Sequence, residues 1–256
     1  MKKFFLQRLG VMYLSLLVLS LGGGCASAIF IPADRSHNQY EISSEIPADP
    51  AIETYIAPYK IQLESEMNKV IGRSEVRLTK SRNQPETLLG NFFTDALLQQ
   101  GRKYDPEIDF SFGTSGGLRT ELPEGDLTVG HLFELMPFEN KLSILELTTE
   151  SVEQVAQFIA SSNGQPVSGL TMEIHNGNAR NIQIGGQPLQ KGQTYKLLTY
   201  DYLANGGDNS RGLDAPVSRA DLPQKVRETL IEYIIELTEN NQSINTKLDG
   251  RVKISQ

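Results

Sequence analysis

Residues 141–160 read KLSILELTTESVEQVAQFIA, in which a strand pattern runs directly into a helix pattern. The opening part, KLSILEL, places apolar side chains on both faces of the predicted strand, so both faces are expected to be covered. In the second half, apolar residues recur at the 3.6-residue period of a helix without a break. These residues are Val152, Val155, Ala156, Ile159 and Ala160. The segment therefore predicts a covered strand followed by an amphipathic helix.

The elements on either side of this segment decide the fold class. Downstream, three predicted strands are separated by turn signals, with no helix pattern between them. They are LTMEI (170–174), NIQI (181–184) and YKLLTY (195–200). Upstream, apolar spacing predicts a helix that ends at Gly101, followed by a half-buried strand in EIDFSF (107–112). Strands and helices thus mix without strict alternation, which favours an α+β domain over a doubly wound parallel sheet.

Three further patterns complete the predicted domain. A helix is expected to run from Asp49, as its N-cap, to Gly72, and Pro58 is expected to kink or split it. The segment EVRLT (75–79) predicts a short strand. Asp221 is expected to cap the last helix of the chain.

The N-terminus carries the pattern of an export signal. Three basic residues precede a short apolar run, which ends in glycines and the single cysteine, Cys25. Bacterial lipoproteins are acylated at a cysteine in this position, so we expect a lipoprotein-type signal over residues 1–24 and lipidation of Cys25. Conventional cleavage after Ala28 is the alternative. Either reading predicts an exported protein, in the periplasm or at the cell surface.

Composition limits the fold and the partners of the remaining chain. Residues 25–48 are polar, punctuated by proline and aperiodic, which predicts a flexible spacer before a domain over residues 49–256. The chain is 39% hydrophobic, as expected of a folded globular protein. Its net charge of −7 argues against a nucleic-acid polymer as partner, since such binding depends on clustered lysine and arginine.

The sequence gives little sign of a catalytic metal. Its histidines, His37, His131 and His175, are scattered, and no DxH, GNHE or HxxxH cluster occurs. A two-metal hydrolytic centre needs several nitrogen and carboxylate ligands within bonding distance. We therefore expect no metal and no other cofactor in this chain.

The segment GTSGG (113–117) fits the G-x-S-x-G nucleophile elbow and follows a hydrophobic strand, as that motif requires. An elbow turns directly into a helix, whereas a proline and a glycine follow this serine within ten residues. Asp126 with His131 or His175 would have to complete the triad. A serine hydrolase that uses Ser115 is therefore a remote alternative.

Five blocks of the sequence resemble, in order, the C-terminal domain of the 5'-nucleotidase family. They are ETLLGNFFTDAL (86–97), FGTSGGLRTEL (112–122), LTVGHLFELMPFENKL (127–142), VSGL (167–170) and YDYLANGGD (200–208). The resemblance runs from about residue 50 to the last strand, and it implies a layered α/β/β/α fold with mixed sheets. The family's metallophosphoesterase domain, which carries two metals, has no counterpart in the sequence.

In this family the C-terminal domain holds the nucleoside, so the resemblance implies a set of site residues. Phe138 and Tyr202 would stack on the two faces of the base, a role that phenylalanine at position 202 should fill nearly as well, and Asp208 would bind the ribose hydroxyls. The other implied residues are Arg82 and Arg119 on the ribose or phosphate side, Asn140 in the PFEN segment, Gly169 beside the base, and Thr114. Because many members carry asparagine at the position of Thr114, the base preference stays open.

These observations lead to two hypotheses. In the first, the chain is the nucleoside- or nucleotide-recognition polypeptide of an exported 5'-nucleotidase system and works with a separately encoded metallophosphoesterase, which would carry the divalent metals. The chain alone is then expected to have negligible phosphatase activity. In the second, it is a stand-alone nucleoside- or nucleotide-binding surface lipoprotein. Whether the chain is itself an enzyme stays open at this point.

Overall fold

The computed structural model describes residues 39–41, 43, 46–81 and 83–255. The predicted signal, Cys25, most of the predicted spacer and Arg82 lie outside the described residues. The helices are α1 (Pro50–Met67), α2 (Leu88–Gly101), α3 (Val129–Leu135), α4 (Thr149–Ser161), α5 (Asp201–Ala204) and α6 (Val226–Glu239), with a 3-10 turn at Gly207–Asn209. In this part of the chain, no helix combines the length and the apolar character needed to cross a bilayer.

The strands form a larger five-stranded sheet, a four-stranded sheet and a two-stranded ribbon. They are β1 (Val70–Ser74), β2 (Phe110–Phe112), β3 (Gly125–Thr128), β4 (Lys141–Thr148), β5 (Val167–Ser168), β6 (Leu170–His175), β7 (Asn178–Ile184), β8 (Gln187–Pro188), β9 (Thr194–Tyr200), β10 (Ser218–Lys225) and β11 (Val252–Ile254). The strand orders are β10-β4-β9-β2-β5, β11-β6-β7-β8 and β1-β3. Parallel pairs occur beside antiparallel ones in both larger sheets. The predicted α+β class and mixed sheets are therefore confirmed.

The helix predicted most clearly from the sequence forms as α4. Thr148 caps it by accepting a hydrogen bond from the Ser151 amide at 3.2 Å. Its apolar stripe, which includes Val152 and Ile159, is fully buried. The helix packs against β4 of the larger sheet and against β6 and β7 of the four-stranded sheet. Both sheets therefore share one hydrophobic core through α4.

Strand β9 lies at the centre of the larger sheet. It pairs antiparallel with β4 along its whole length and parallel with β2. Leu197 and Leu198 on this strand are fully buried. The strand ends at Tyr200, whose buried ring meets the edge of Phe93 on α2 with centroids 6.4 Å apart. The chain then leaves the sheet as α5, so the end of β9 positions the loop after it.

The first helix departs from the prediction. It begins as predicted, but it ends at Met67 and runs through Pro58 without dividing. Residues Val70–Ser74 form β1, which pairs with β3, because tertiary packing overrides the helical spacing there. Gly72 allows α6 to lie against this strand, since a Cβ at that position would stand 2.4 Å from Cγ2 of Ile234. No residue of α1 is buried, so the apolar face that its sequence predicts lies outside the core; within α1 this face is Ile52, Ile56, Tyr59, Leu63 and Met67.

Two other predictions are wrong: one segment lacks a ladder of paired backbone groups, and one residue pairs within a sheet and does not cap a helix. The segment EVRLT (75–79) forms no strand, and Leu78 alone makes an isolated bridge. Asp221 lies in β10 opposite Ser143, whose hydroxyl donates to the Asp221 carboxylate at 2.6 Å. That aspartate therefore does not cap the last helix, which begins at Val226.

We expect Leu197→Ala to lower the free energy of unfolding by about 2–5 kcal/mol, because it deletes a fully buried side chain at the centre of the larger sheet. Ile61 on α1 is 69% exposed, so Ile61→Ala should change the free energy of unfolding by less than about 0.5 kcal/mol. Urea unfolding followed by circular dichroism measures both variants. A large loss for Ile61→Ala would show that the Ile61 side chain is packed in solution.

Candidate functional site

A cavity of about 190 Å³ lies where β9 leaves the larger sheet. It is lined by Gly116, Gly117, Arg119, Phe138, Asn140, Tyr200, Tyr202 and Asp208. These residues come from three segments of the chain that are far apart in sequence. Five residues that the sequence proposed for the site meet here, namely Arg119, Phe138, Asn140, Tyr202 and Asp208.

The loop after β9 holds a tyrosine and an aspartate in fixed relation. The Tyr202 hydroxyl donates to Oδ1 of Asp208 at 3.0 Å, and the Asp208 amide donates back to the same hydroxyl oxygen at 3.3 Å. Gly207 lies under the ring, since a Cβ there would stand 2.4 Å from a ring carbon of Tyr202. Asp208 itself has φ of 54°, a left-handed conformation that aspartate tolerates better than most residues. The sequence YLANGGD is therefore what this geometry requires.

Asp208 has a second hydroxyl donor behind it. Thr114, which is 2% exposed, donates from its hydroxyl to Oδ2 of Asp208. The same hydroxyl lies 3.2 Å from the Tyr200 hydroxyl, and burial raises the pKa of the Tyr200 phenol to about 12. That phenol therefore keeps its proton at neutral pH. Each oxygen of the Asp208 carboxylate thus has one hydroxyl partner and retains further lone pairs for a ligand.

This network places two residues differently from the sequence interpretation. Thr114 contacts Asp208 and does not line the cavity, so its position is that of a support for the carboxylate. Tyr200 lines the cavity but was not among the predicted site residues. Its signal in the sequence was its place as the last, aromatic residue of a predicted strand. That signal is equally typical of a core residue, and Tyr200 is in fact 1% exposed.

Arg119 and Phe138 also line the cavity and contact each other. The Arg119 guanidinium lies 5.6 Å from the centre of the Phe138 ring, within cation–π range, and donates to the Gly116 carbonyl at 3.3 Å. Phe138 is 36% exposed and Tyr202 is 47% exposed, so both rings can be reached by a ligand. The amide side chain of Asn140 is half-buried and has no hydrogen-bond partner among the described residues.

Gly169 does not line this cavity. Gly169 has φ of 79°, and a Cβ there would stand 2.4 Å from the Asp109 carbonyl oxygen. Its place is a close backbone approach beside β2. Arg82 is outside the described residues, so its predicted role stays a prediction.

The serine hydrolase alternative finds no support in the geometry. The Ser115 amide donates to Oε1 of Gln165 at 2.8 Å, and the segment makes a turn where an elbow would continue into a helix. Asp126 pairs with Arg73 at 3.2 Å. His131 lies in the capping box of α3, where its Nδ1 accepts from the Thr128 amide at 3.1 Å. Within the described ranges, no group of three or more His, Cys, Asp or Glu side chains could hold a metal ion.

A larger cavity of about 290 Å³ lies beyond Gly116, at the N-terminus of α2. Its charged side chains are already engaged. Glu86 accepts from the amides of Asp249 and Gly250 at 2.8 and 2.9 Å, and Arg251 pairs with Asp95 at 2.7 Å. The smaller cavity, where accessible rings, a carboxylate and an arginine converge, is therefore the candidate functional site.

Comparison with known proteins gives consistent results. A family model described as "5'-nucleotidase, C-terminal domain" matches residues 70–215. The 5'-nucleotidase of Vibrio vulnificus is 26% identical over 70% of this chain and 33% of that protein. The cell wall protein Lmo0130 of Listeria monocytogenes is 28% identical over 71% of this chain and 25% of its own length. The crystal structure of a 5'-nucleotidase precursor from Thermus thermophilus superposes with a TM-score of 0.68 at 25% identity, over 81% of this chain and 44% of that one.

Gly169→Ala tests the close backbone packing at that position. We expect it to lower the free energy of unfolding by about 2–4 kcal/mol, since a positive φ and a backbone clash act together. Gly177→Ala is the matched control: its φ of 73° is similar but nothing lies within 4 Å of the added methyl, so it should lose only about 1 kcal/mol. Urea unfolding measures both. Equal losses would contradict the close packing of Gly169.

Proposed function

The chain belongs to the family of 5'-nucleotidase C-terminal domains, and on that premise we propose that it recognises nucleosides or nucleotides through the cavity at the end of β9. The observation that carries this proposal is the meeting of two accessible aromatic rings, one carboxylate and one arginine around a single cavity. Two aromatic faces suit a planar base. A carboxylate accepts two hydroxyl hydrogen bonds, as the diol of a ribose offers, and an arginine suits a phosphate.

In the proposed arrangement the base lies between Phe138 and Tyr202. The ribose hydroxyls bond to Asp208, and Arg119 contacts the ribose or phosphate side. The Asn140 amide, with no described partner, is available to the base edge or the sugar. Thr114 acts through Asp208, since its hydroxyl holds one oxygen of that carboxylate.

We further propose that hydrolysis takes place on a separately encoded metallophosphoesterase, which would supply the divalent metals. The size of the cavity supports a composite site. Its 190 Å³ is below the roughly 300–1,000 Å³ of pockets that enclose a small ligand, so a second surface would have to complete the enclosure. The two chains together would form an exported 5'-nucleotidase, with this one anchored through a lipid on Cys25.

A stand-alone nucleoside- or nucleotide-binding lipoprotein is the second candidate. One observation favours it: the hydroxyls of Tyr202 and Thr114, both from this chain, hold the Asp208 carboxylate. A preorganised group loses little freedom on binding, which helps affinity. This candidate requires saturable binding by the chain alone, whereas the composite site allows that binding to be weak.

Calorimetric titration of the purified protein with adenosine and AMP, beside a phosphate-release assay on the same sample, tests the proposal. We expect binding without phosphate release, because the cavity offers recognition groups and no metal-ligand cluster lies among the described residues. Phosphate release that survives repeated purification would overturn the division of labour. Saturable binding in the micromolar range would favour the stand-alone candidate over the composite one.

The hydrogen bond from the Tyr202 hydroxyl to Asp208 leads to a further prediction. It revises the expectation that phenylalanine at position 202 would fill the role of Tyr202 nearly as well. Tyr202→Ala should weaken 2',3'-dideoxyadenosine by about 1–3 kcal/mol, because it removes a stacking ring, and should weaken adenosine by more, because it also removes the hydroxyl that holds Asp208. Tyr202→Phe should weaken adenosine alone, by about 0.5–1.5 kcal/mol, because it frees the Asp208 carboxylate from one donor. Titration of both ligands into both variants decides the point. If Tyr202→Phe binds adenosine like the wild type, the hydroxyl does not orient Asp208.

A further inference from the structure

Arg227 lies in the first turn of α6, directly behind the segment that carries Phe138. Its side chain is 6% exposed. Its Nη1 donates to the Met136 carbonyl at 3.1 Å and to the Phe138 carbonyl at 3.2 Å. One nitrogen thus bridges the two carbonyls that flank Pro137, and the backbone on which the Phe138 ring sits is held from behind.

Two more contacts fix the guanidinium itself. Its Nη2 forms an ion pair with Glu139, and its centre lies 3.9 Å over the Phe133 ring. Lys225 reaches the other oxygen of Glu139 at 2.5 Å. Hydrogen bonds from Lys225 and Arg227 lower the pKa of the Glu139 carboxyl to about 2, so this ion pair persists at all but strongly acidic pH.

Because Arg227 is buried, its hydrogen-bond partners restrict the movement of the 136–139 segment. A guanidinium taken out of water is strongly unfavourable unless hydrogen bonds and an opposite charge compensate it. If the 136–139 segment moved, the guanidinium would lose the two carbonyls and the carboxylate together. Lysine cannot reproduce the contacts, because its ammonium is a single point of charge where arginine offers a planar fork.

We propose that Arg227 is a positioning residue of the nucleoside site, which sets the Phe138 ring at the place where it stacks on a base. This inference rests on the proposed function, and it adds a residue outside the cavity whose effect passes through Phe138. The neighbouring amide of Val226 extends the same hold by donating to the Asn140 carbonyl at 2.9 Å. The start of α6 therefore holds both cavity residues of this segment.

The test compares adenosine affinity of the full chain by calorimetry in wild type, Arg227→Met, Phe138→Ala and the double variant. We expect Arg227→Met to weaken binding about tenfold, since a displaced ring loses much of a base stack. In the Phe138→Ala background it should have no further effect, because the ring it acts through is gone. Lys225→Met is the matched control, because it removes the other cation at Glu139 but neither carbonyl contact, and should stay within about twofold of wild type.

Hydrogen exchange of the ligand-free proteins gives a readout that needs no nucleoside. The amides of residues 136 and 138–140 should exchange faster in Arg227→Met, while those of residues 200–208 stay at the wild-type rate. If that variant does not fold, Arg227→Lys replaces it in both measurements. Wild-type affinity with wild-type exchange, or a loss that adds fully to that of Phe138→Ala, would overturn the inference. Wild-type protein that fails to bind adenosine would instead refute the stand-alone form of the proposed function, and hydrogen exchange would then decide the role of Arg227 alone.

Discussion

The pairing of β9 with β4 on one side and β2 on the other is the constraint on which the rest of this structure depends. It buries Leu197 and Leu198 and places Tyr200 at the end of the central strand, against Phe93. A central strand forms backbone hydrogen bonds with a neighbour on each side. These bonds fix the position of its end and therefore the place where the next loop begins. The loop that leaves it needs only a few residues to bring Tyr202 and Asp208 to the cavity.

The cavity is built from three segments, and hydrogen bonds tie two of them to neighbouring elements. The 114–119 segment is tied to the β9 end by the hydrogen bonds of Thr114 with Tyr200 and Asp208. The 136–140 segment is tied to the start of α6 through Arg227 and Val226. These supports leave the groups that would touch a ligand exposed while the backbone beneath them is fixed. A site of this kind loses little conformational freedom when it binds, which is the physical basis of preorganisation.

Local signals in the sequence predicted correctly the elements that are determined by residues close together in the sequence. The amphipathic stripe of α4 is a short-range feature, and it formed as expected. Signals that competed with a partner far along the chain failed. Val70 continued a helical spacing but joined β1, and Asp221 looked like a helix cap but paired with Ser143 in a neighbouring strand. In both cases the backbone hydrogen bonds of a sheet outweighed a local preference of a few tenths of a kcal/mol to about one.

The sequence by itself determined the α+β class, the family resemblance and most of the side chains that line the cavity, because residue types and their spacing in short blocks carry that information. Only the tertiary structure decided how those side chains are held. Thr114 meets Asp208 across 94 positions of the chain, and Arg227 meets Phe138 across 89. No pattern within a short stretch of sequence predicts a contact between residues so far apart in the chain. The contacts exist because β9 and α6 bring distant segments to the same end of the sheet, where burial makes each unpaired polar group unfavourable.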